Sequence, residues 1–440
     1  ERGRARDRDD RRRPQAGGCR LSADEPKGPA EPVAPPEPKA GESPLGAPSV
    51  ASRLALYQRA GGIVTPLITA ALAFAVGGLV VLVSTGKNPI GTYHAIFNGT
   101  GLEWLFPWVS GAARVQAAYN LQQTLLVTVP LVLTGLAVAF AFRCGLFNIG
   151  GQGQYIIGSI VGVQMGIWFA GMPKPAHIVL AIVVASLAGA LWAGIAGFLR
   201  ATVGAHEVIT TIMLNWIALW IGSYLVGFGG PLQNPHDNSI PATADIATSA
   251  KLPVFWGDPV LQGLHIGFFV ALAALVAFWI ILNRTTLGYE VRAVGFNPEA
   301  ARYGGIGVGR SYFTAMAISG FFAGLAGAID LLGWEFHLDL TVVQGSQIGF
   351  VGIAVALLGR NSSIGIVFSA LLFGALLTGT STRALDPSVF QPELAGNLTR
   401  IIQGLVVLFV GADVIVLYLW QARRKLRARA RPGVQPEPSA

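Results

Sequence analysis

The chain has 440 residues, of which 52% are hydrophobic and only 12% charged, with a mean hydropathy of +0.55. That composition excludes an ordinary soluble domain and describes an integral membrane protein, and 56 glycines suit helices that approach closely in a bilayer. The net charge of +8 does not point to nucleic acid, because most Lys and Arg residues lie in two terminal tails, where they set membrane orientation.

Residues 1–50 open with an Arg/Asp-rich block and pass into "EPKGPAEPVAPPEPKAGESP", too poor in large apolar side chains to offset its chain entropy. A disordered cytoplasmic tail is expected there. The first residue is Glu, so translation is expected to start upstream, and Cys19 has no apolar stretch before it, which argues against a lipoprotein or secretory signal. With Cys144 as the second cysteine, there is no disulfide framework and no metal-ligand spacing.

Residues 51–420 form the predicted transmembrane domain. Apolar runs near the roughly 20 residues needed for a bilayer crossing fall at 62–84, 121–142, 149–170, 177–199, 208–228, 265–283, 311–333, 362–381 and 397–420, with a shorter one at 347–359. The expected fold is therefore an all-α polytopic bundle of about ten transmembrane helices, eight to ten. The short run, "QIGFVGIAVALLG", is under the length of a straight span and suits a re-entrant segment or half-helix, which needs protein or water beside its free backbone groups. Residues 421–440 carry a dense basic cluster, so both termini are expected in the cytoplasm with an even number of crossings.

Outside the tails this topology places Arg143, Arg200, Arg284, Arg292, Arg302, Arg310 and Arg360 inside, and Lys87, Arg114, Lys174, Lys251, Arg383 and Arg400 outside. The totals barely differ, but four of the inner residues fall in one loop. Two long outer segments follow from the same assignment. Residues 85–120 include the aromatic "EWLFPWVSG", suited to the membrane interface, and residues 229–264 read as an ordered external loop, either a lid or docking surface or a connector.

Catalytic signals do not emerge. The six histidines are scattered, and neither HExxH nor GxxxxGK[ST] occurs, so the chain is expected to bind no cofactor and to lack a nucleotide site of its own. Ionisable residues within spans are few: Asp330 near an outer end and Asp413 in the last span, either of which an ion-coupled carrier would need.

Two polar interruptions are candidates for a solute pathway. "GLFNIGGQGQYIIGS" places Asn148, Gln152 and Gln154 among glycines, where their amides can serve a neutral polar solute or close a tight turn. "GAHEVITTIMLNWIALW" places Thr211 and Asn215 four residues apart on one helical face, as an interhelical hydrogen-bonding stripe or a pore-facing one.

A third interruption, residues 284–310, carries "RAVGFNPEAARYGGIGVGR" on the cytoplasmic side. Asn297 is a capping residue, Pro298 suits the first helical position and Glu299 sits near the positive end of the helix dipole. A short surface helix is predicted through Ala300, Ala301, Arg302 and Tyr303, ended by Gly304 and Gly305. Such a helix is a rigid knob for a soluble partner.

At this loop the chain resembles permease subunits of ATP-binding-cassette importers, whose cytoplasmic coupling helix carries Glu-Ala-Ala, three residues, then Gly: here Glu299, Ala300, Ala301 and Gly305. With "LTGLAVAFAFRCGLFNIGGQGQ", "TTLGYEVRAVGFNPEAARYGGI" and "GFVGIAVALLGRNSSIGIVFSALLFGALL", the resemblance covers about residues 62–420 and is to the branched-chain amino acid and simple-sugar permease family, nearest its nucleoside or simple-sugar branch. It implies an ABC importer permease-like bundle in a prokaryotic cell (inner) membrane. It also implies a cytoplasmic ATPase that holds ATP and Mg, a second, related permease in a heterodimer, and an external binding protein or lipoprotein. The implied cargo is a nucleoside, with a simple sugar or branched-chain amino acid as alternatives and an ion-coupled secondary transporter as the alternative mechanism.

Overall fold

The structure, a computed structural model, describes residues 70–83, 86, 88–258 and 263–381, with scattered positions between 397 and 408. The chain divides into two units, Glu1–Leu54 and Ala55–Ala440, and every described residue belongs to the second. Both tails, Cys19, Lys87, Arg383, Asp413 and most of the predicted span 397–420 lie outside the described residues.

The described residues are predominantly helical. In chain order they form α1 (Ala70–Val83), α2 (Pro89–Thr100), α3 (Gly111–Arg143), α4 (Gly151–Trp168), α5 (Lys174–Val203) and α6 (Glu207–Val226). After the long segment that follows α6 come α7 (Gly267–Arg284), α8 (Thr286–Phe296), α9 (Pro298–Tyr303), α10 (Val308–Asp330), α11 (Leu340–Gly345), α12 (Ile348–Leu358) and α13 (Ser363–Gly379). Among the described residues six helical segments are long and apolar enough to cross a membrane: α3, α5, α6, α7, α10 with its continuation to Glu335, and α11 with α12. α1 and α13 are shorter apolar helices, and α4, diluted by its glutamines and glycines, fills the predicted 149–170 segment.

Several boundaries differ from the sequence expectation. α3 starts at Gly111 rather than 121, because Ala112, Ala113, Ala117 and Ala118 propagate the helix beyond the apolar run. Its 33 residues extend for about 50 Å at ~1.5 Å per residue, well over the ~30 Å hydrocarbon core. Within the supposed outer loop 85–120, Asn88 caps α2 by accepting from the Ile90 amide at 2.9 Å, and Gly101 ends it at φ 72°. α7 begins at Gly267 rather than 265 because Leu264–His265 forms strand β2, paired antiparallel with β1 (Val254–Trp256).

α3 and α10 form the centre, each with 83% of its most apolar stretch buried. α4 and α5 meet α10 through glycine. A Cβ on Gly324 of α10 would lie 2.7 Å from the Ala185 carbonyl oxygen and 3.0 Å from the Gly189 Cα of α5, so only hydrogen fits at that crossing.

The described residues of the segment 229–264 are tied to the bundle through backbone bonds. Thr243 N donates to Leu338 O at 2.9 Å, Ile246 N to Phe336 O at 2.8 Å and Leu252 N to Leu332 O at 2.9 Å, while Ala247 N reaches Gly166 O at the end of α4 at 3.0 Å. The strip it grips begins with a π-helical turn, Leu331–Glu335, closed by Phe336 at φ 62°. His177 at the start of α5 fixes the same corner, with Nδ1 2.8 Å from Ser249 Oγ and Nε2 2.9 Å from Met165 O.

Candidate functional site

The polar island at residues 284–310 is built from two helices where one was predicted. Thr285 caps α8 through the Gly288 amide at 3.1 Å, and Val291 and Val294 bury its inner face. Asn297 then serves both helices: its amide donates to Ala293 O at 3.1 Å to end α8, and its Oδ1 accepts from Glu299 N at 2.9 Å and Ala300 N at 3.0 Å to start α9. Ala301 is the one buried residue of α9, whereas Pro298, Glu299, Ala300, Arg302 and Tyr303 are exposed. Gly304 ends the helix and Gly305 follows at φ 81°. Phe296 and Tyr303, 92% and 95% exposed, flank this short helix with two uncovered aromatic rings.

This island rests on the end of α3. A Cβ on Gly295 would collide with the Arg143 carbonyl oxygen, so α8 sits directly against the α3–α4 turn. Arg143 in turn donates through Nη2 to Asn361 O at 2.7 Å, which brings the α12–α13 turn to the same place. Nearby, Arg200 lies 3.5 Å from Glu207 across the α5–α6 turn and 5.7 Å above the Tyr312 ring of α10.

The five residues singled out for a solute pathway converge on the start of α4, all buried. Asn148 and Gln154 pair reciprocally, Nδ2 to Oε1 at 2.9 Å and Nε2 to Oδ1 at 3.0 Å. Asn148 also donates to Ser319 Oγ of α10 at 2.7 Å and accepts from Gly150 N at 2.9 Å. Asn215 of α6 accepts from Gly153 N at 2.8 Å and donates to Ile149 O at 2.9 Å, which satisfies an amide that α4 leaves free at its first turn. Thr211 bonds back to Glu207 O within its own helix at 2.7 Å.

Gln152 has a separate task. The run 347–359 belongs to a span of 19 residues, Leu340–Leu358, interrupted at Ser346–Gln347. Gln152 donates to Ser346 O at 2.7 Å and accepts from Gly349 N at 2.9 Å, so one carboxamide serves backbone groups on both sides of the interruption. After the interruption, residues 347–359 continue as the 11-residue helix α12. In this conformation the amides of Asn148, Gln152, Gln154 and Asn215 bond to the protein itself.

Sequence reasoning passed over Ser319, Gln344 and Gln347, and it left Asp330 without partners. Asp330 accepts from Tyr155 Oη of α4 and, at 2.6 Å, from Trp334 Nε1 within the π-helical turn. Its four-residue spacing to Trp334 was visible in the sequence; Tyr155, 175 positions away, was not. Among the described residues no group of His, Cys, Asp and Glu could hold a metal ion.

The described residues form a helical membrane bundle with a paired-helix step at α8–α9 and an interrupted span at α11–α12. The chain matches the branched-chain amino acid transport system/permease component family over residues 120–411 and belongs to it. It is similar to the guanosine ABC transporter permease protein NupP of Bacillus subtilis, 37% identical over 84% of this chain and 99% of that protein. It is also similar to the glucose ABC transporter permease protein TsgB13 of Haloferax volcanii, 34% identical over 79% of this chain and 86% of the relative. A second guanosine permease of Bacillus subtilis, NupQ, is 30% identical over 57% of this chain and 78% of its own length. No solved structure matches. Family membership favours the ABC permease over the ion-coupled carrier.

Proposed function

We propose that this chain is one permease subunit of an ATP-driven importer for a nucleoside or related ribose-containing solute. The observation that carries this reading is the cytoplasmic step: Asn297 joins α8 to α9, and Phe296 and Tyr303 stand almost fully exposed beside it. Two exposed aromatic rings on a rigid, doubly capped support suit a cleft in a soluble partner. Residues Asn297–Gly305 would engage a cytoplasmic ATPase, which would hold ATP and Mg. Contact of Gly295 with the Arg143 carbonyl would carry that partner's movement to α3 and the start of α4.

The relatives' names support the cargo and a second, different permease beside this one, since Bacillus subtilis has two guanosine permeases that both resemble this chain. An external binding protein or lipoprotein would deliver the solute, and both termini would lie in the cytoplasm of a prokaryotic cell with the bundle in its inner or only membrane. The glucose permease at 34% identity supports a second reading, the same machine carrying a simple sugar.

Uptake of labelled guanosine, uridine, glucose and leucine, in cells with and without this gene and the partner ATPase, tests the proposal. ATPase-dependent nucleoside uptake lost on deletion is expected. Loss confined to glucose would replace the cargo, and gene-dependent uptake indifferent to the ATPase would overturn the importer.

A further inference from the structure

The interruption at Ser346–Gln347 lies about six residues, or roughly 10 Å, below the outer end of its span, well inside a hydrocarbon core of ~30 Å. Gly345 and Gln347 are exposed there, as are Thr341 and Gln344 one turn above. Irregular backbone and carboxamides at that depth do not face lipid; they face protein or water. At the interruption the Ser346 carbonyl oxygen accepts from Gln152 Nε2 at 2.7 Å, which leaves the Gln347 side chain on the exposed side.

Directly above the interruption the same surface forms a depression of about 380 Å³, lined by Pro241, Leu340, Thr341, Gln344 and Gly345. That volume suits a small ring-bearing solute. Gln344 is held in place by a 3.1 Å bond from Nε2 to Ser223 Oγ of α6, which leaves its Oε1 available. Asn215 of α6 bonds Gly153, and Gln152, the residue before Gly153, bonds Ser346, which sets Trp216, 55% exposed, near the depth of the interruption.

We infer that this depression and the interruption beneath it are this chain's contribution to the solute pathway, with Thr341, Gln344 and Gln347 supplying hydrogen bonds and Trp216 an aromatic surface. This inference rests on the importer reading and specifies its solute-contacting face. The second permease closes the opposite side. Uncharged carboxamides and a hydroxyl donate and accept, and an indole face stacks on a planar base. The station therefore takes an uncharged solute with ring and hydroxyl groups; a zwitterionic amino acid would meet no charged partner among these residues.

The test places single cysteines at 341, 344 and 347 in a Cys19→Ser, Cys144→Ala background that retains uptake in the complete transporter. Cells are treated from outside with a membrane-impermeant methanethiosulfonate. Asn238→Cys in the external loop is the accessible control and Leu187→Cys on α5 the inaccessible one. Labelling at 344 and 347 that guanosine slows several-fold is expected. Protection by glucose and not guanosine would uphold the station while replacing the cargo proposed above. Absence of labelling at both positions in a transporter that still takes up solute would overturn the inference, as would labelling that neither guanosine nor glucose slows. Independently of labelling, Gln347→Leu should raise the KM for uptake several-fold while Gln347→Asn retains most of it, with ATPase co-purification unchanged in both. Equal kinetics in Leu and Asn variants would also overturn it.

Discussion

The Gln152 side chain bonds to Ser346 across the interrupted span, with Nε2 2.7 Å from the Ser346 carbonyl oxygen, and its Oε1 simultaneously takes the Gly349 amide at 2.9 Å. Leucine at this position would leave two backbone groups without partners in a buried setting, at about 1–3 kcal/mol each. Gln152→Leu should lower the thermal midpoint of the detergent-solubilised protein, and Gln152→Glu, which keeps the acceptor and loses the donor, should fall between. An unchanged midpoint for the leucine variant would mean that the interruption is held by other contacts.

Helix α10 crosses α5 at Gly324 and Gly189 with no room for a side chain. Gly324→Leu forces the helices apart, and overpacking of this kind costs about 1–3 kcal/mol or more. The expected result is a protein that inserts yet gives a broadened or aggregated profile on fluorescence-detected size exclusion. Gly307→Ala, in the turn before α10, is the comparison variant and should give a wild-type profile.

Phe296 and Tyr303 leave most of their rings exposed while Ala301 anchors the helix between them. Phe296→Ser with Tyr303→Ser should reduce co-purification of the ATPase roughly tenfold or more, as truncating two central aromatic contacts does elsewhere, with surface expression intact. Undiminished co-purification would place the ATPase contact on another cytoplasmic segment.

Asn297→Ala removes the acceptor for Glu299 N and Ala300 N. Loss of a cap costs about 1 kcal/mol, felt locally, so global stability should change little while proteolysis within residues 296–305 accelerates. Asn297→Asp keeps the acceptor and should restore protection.

Asp330 is committed to Tyr155 and Trp334 in the π-helical turn. Asp330→Asn should reduce stability, because an amide cannot accept from both donors in the same way. It should leave the response of uptake to a collapsed proton gradient unchanged. A variant whose uptake alone became insensitive to that gradient would revive an ion-coupled role for this carboxylate.

How much of this was readable from residues depended on whether the interaction was local. Asn297-Pro298-Glu299 and Gly304 announce α9 because capping, the proline position and helix termination act within a few residues. Long apolar runs likewise located most spans to within a few positions. Helix α8 escaped notice because its buried residues, Gly288, Val291 and Val294, define an inner face only once α7, α10 and α3 are packed against it. Gln152 was marked as polar in an apolar setting, yet its partners lie 194 and 197 residues away, and no spacing rule connects them. The start of α3 at Gly111 was missed because helix propensity carries a chain past the point where hydropathy falls.

Thr243, Ile246 and Leu252 grip the strip from Leu332 to Leu338 through main-chain amides and carbonyls. Bonds of that sort are indifferent to which side chains stand on the loop. Apart from Thr243, whose Oγ1 also accepts from Leu338 N at 3.0 Å, its exposed side chains can therefore be exchanged while the scaffold beneath keeps its shape. That surface is thus free to diversify at small risk to the fold.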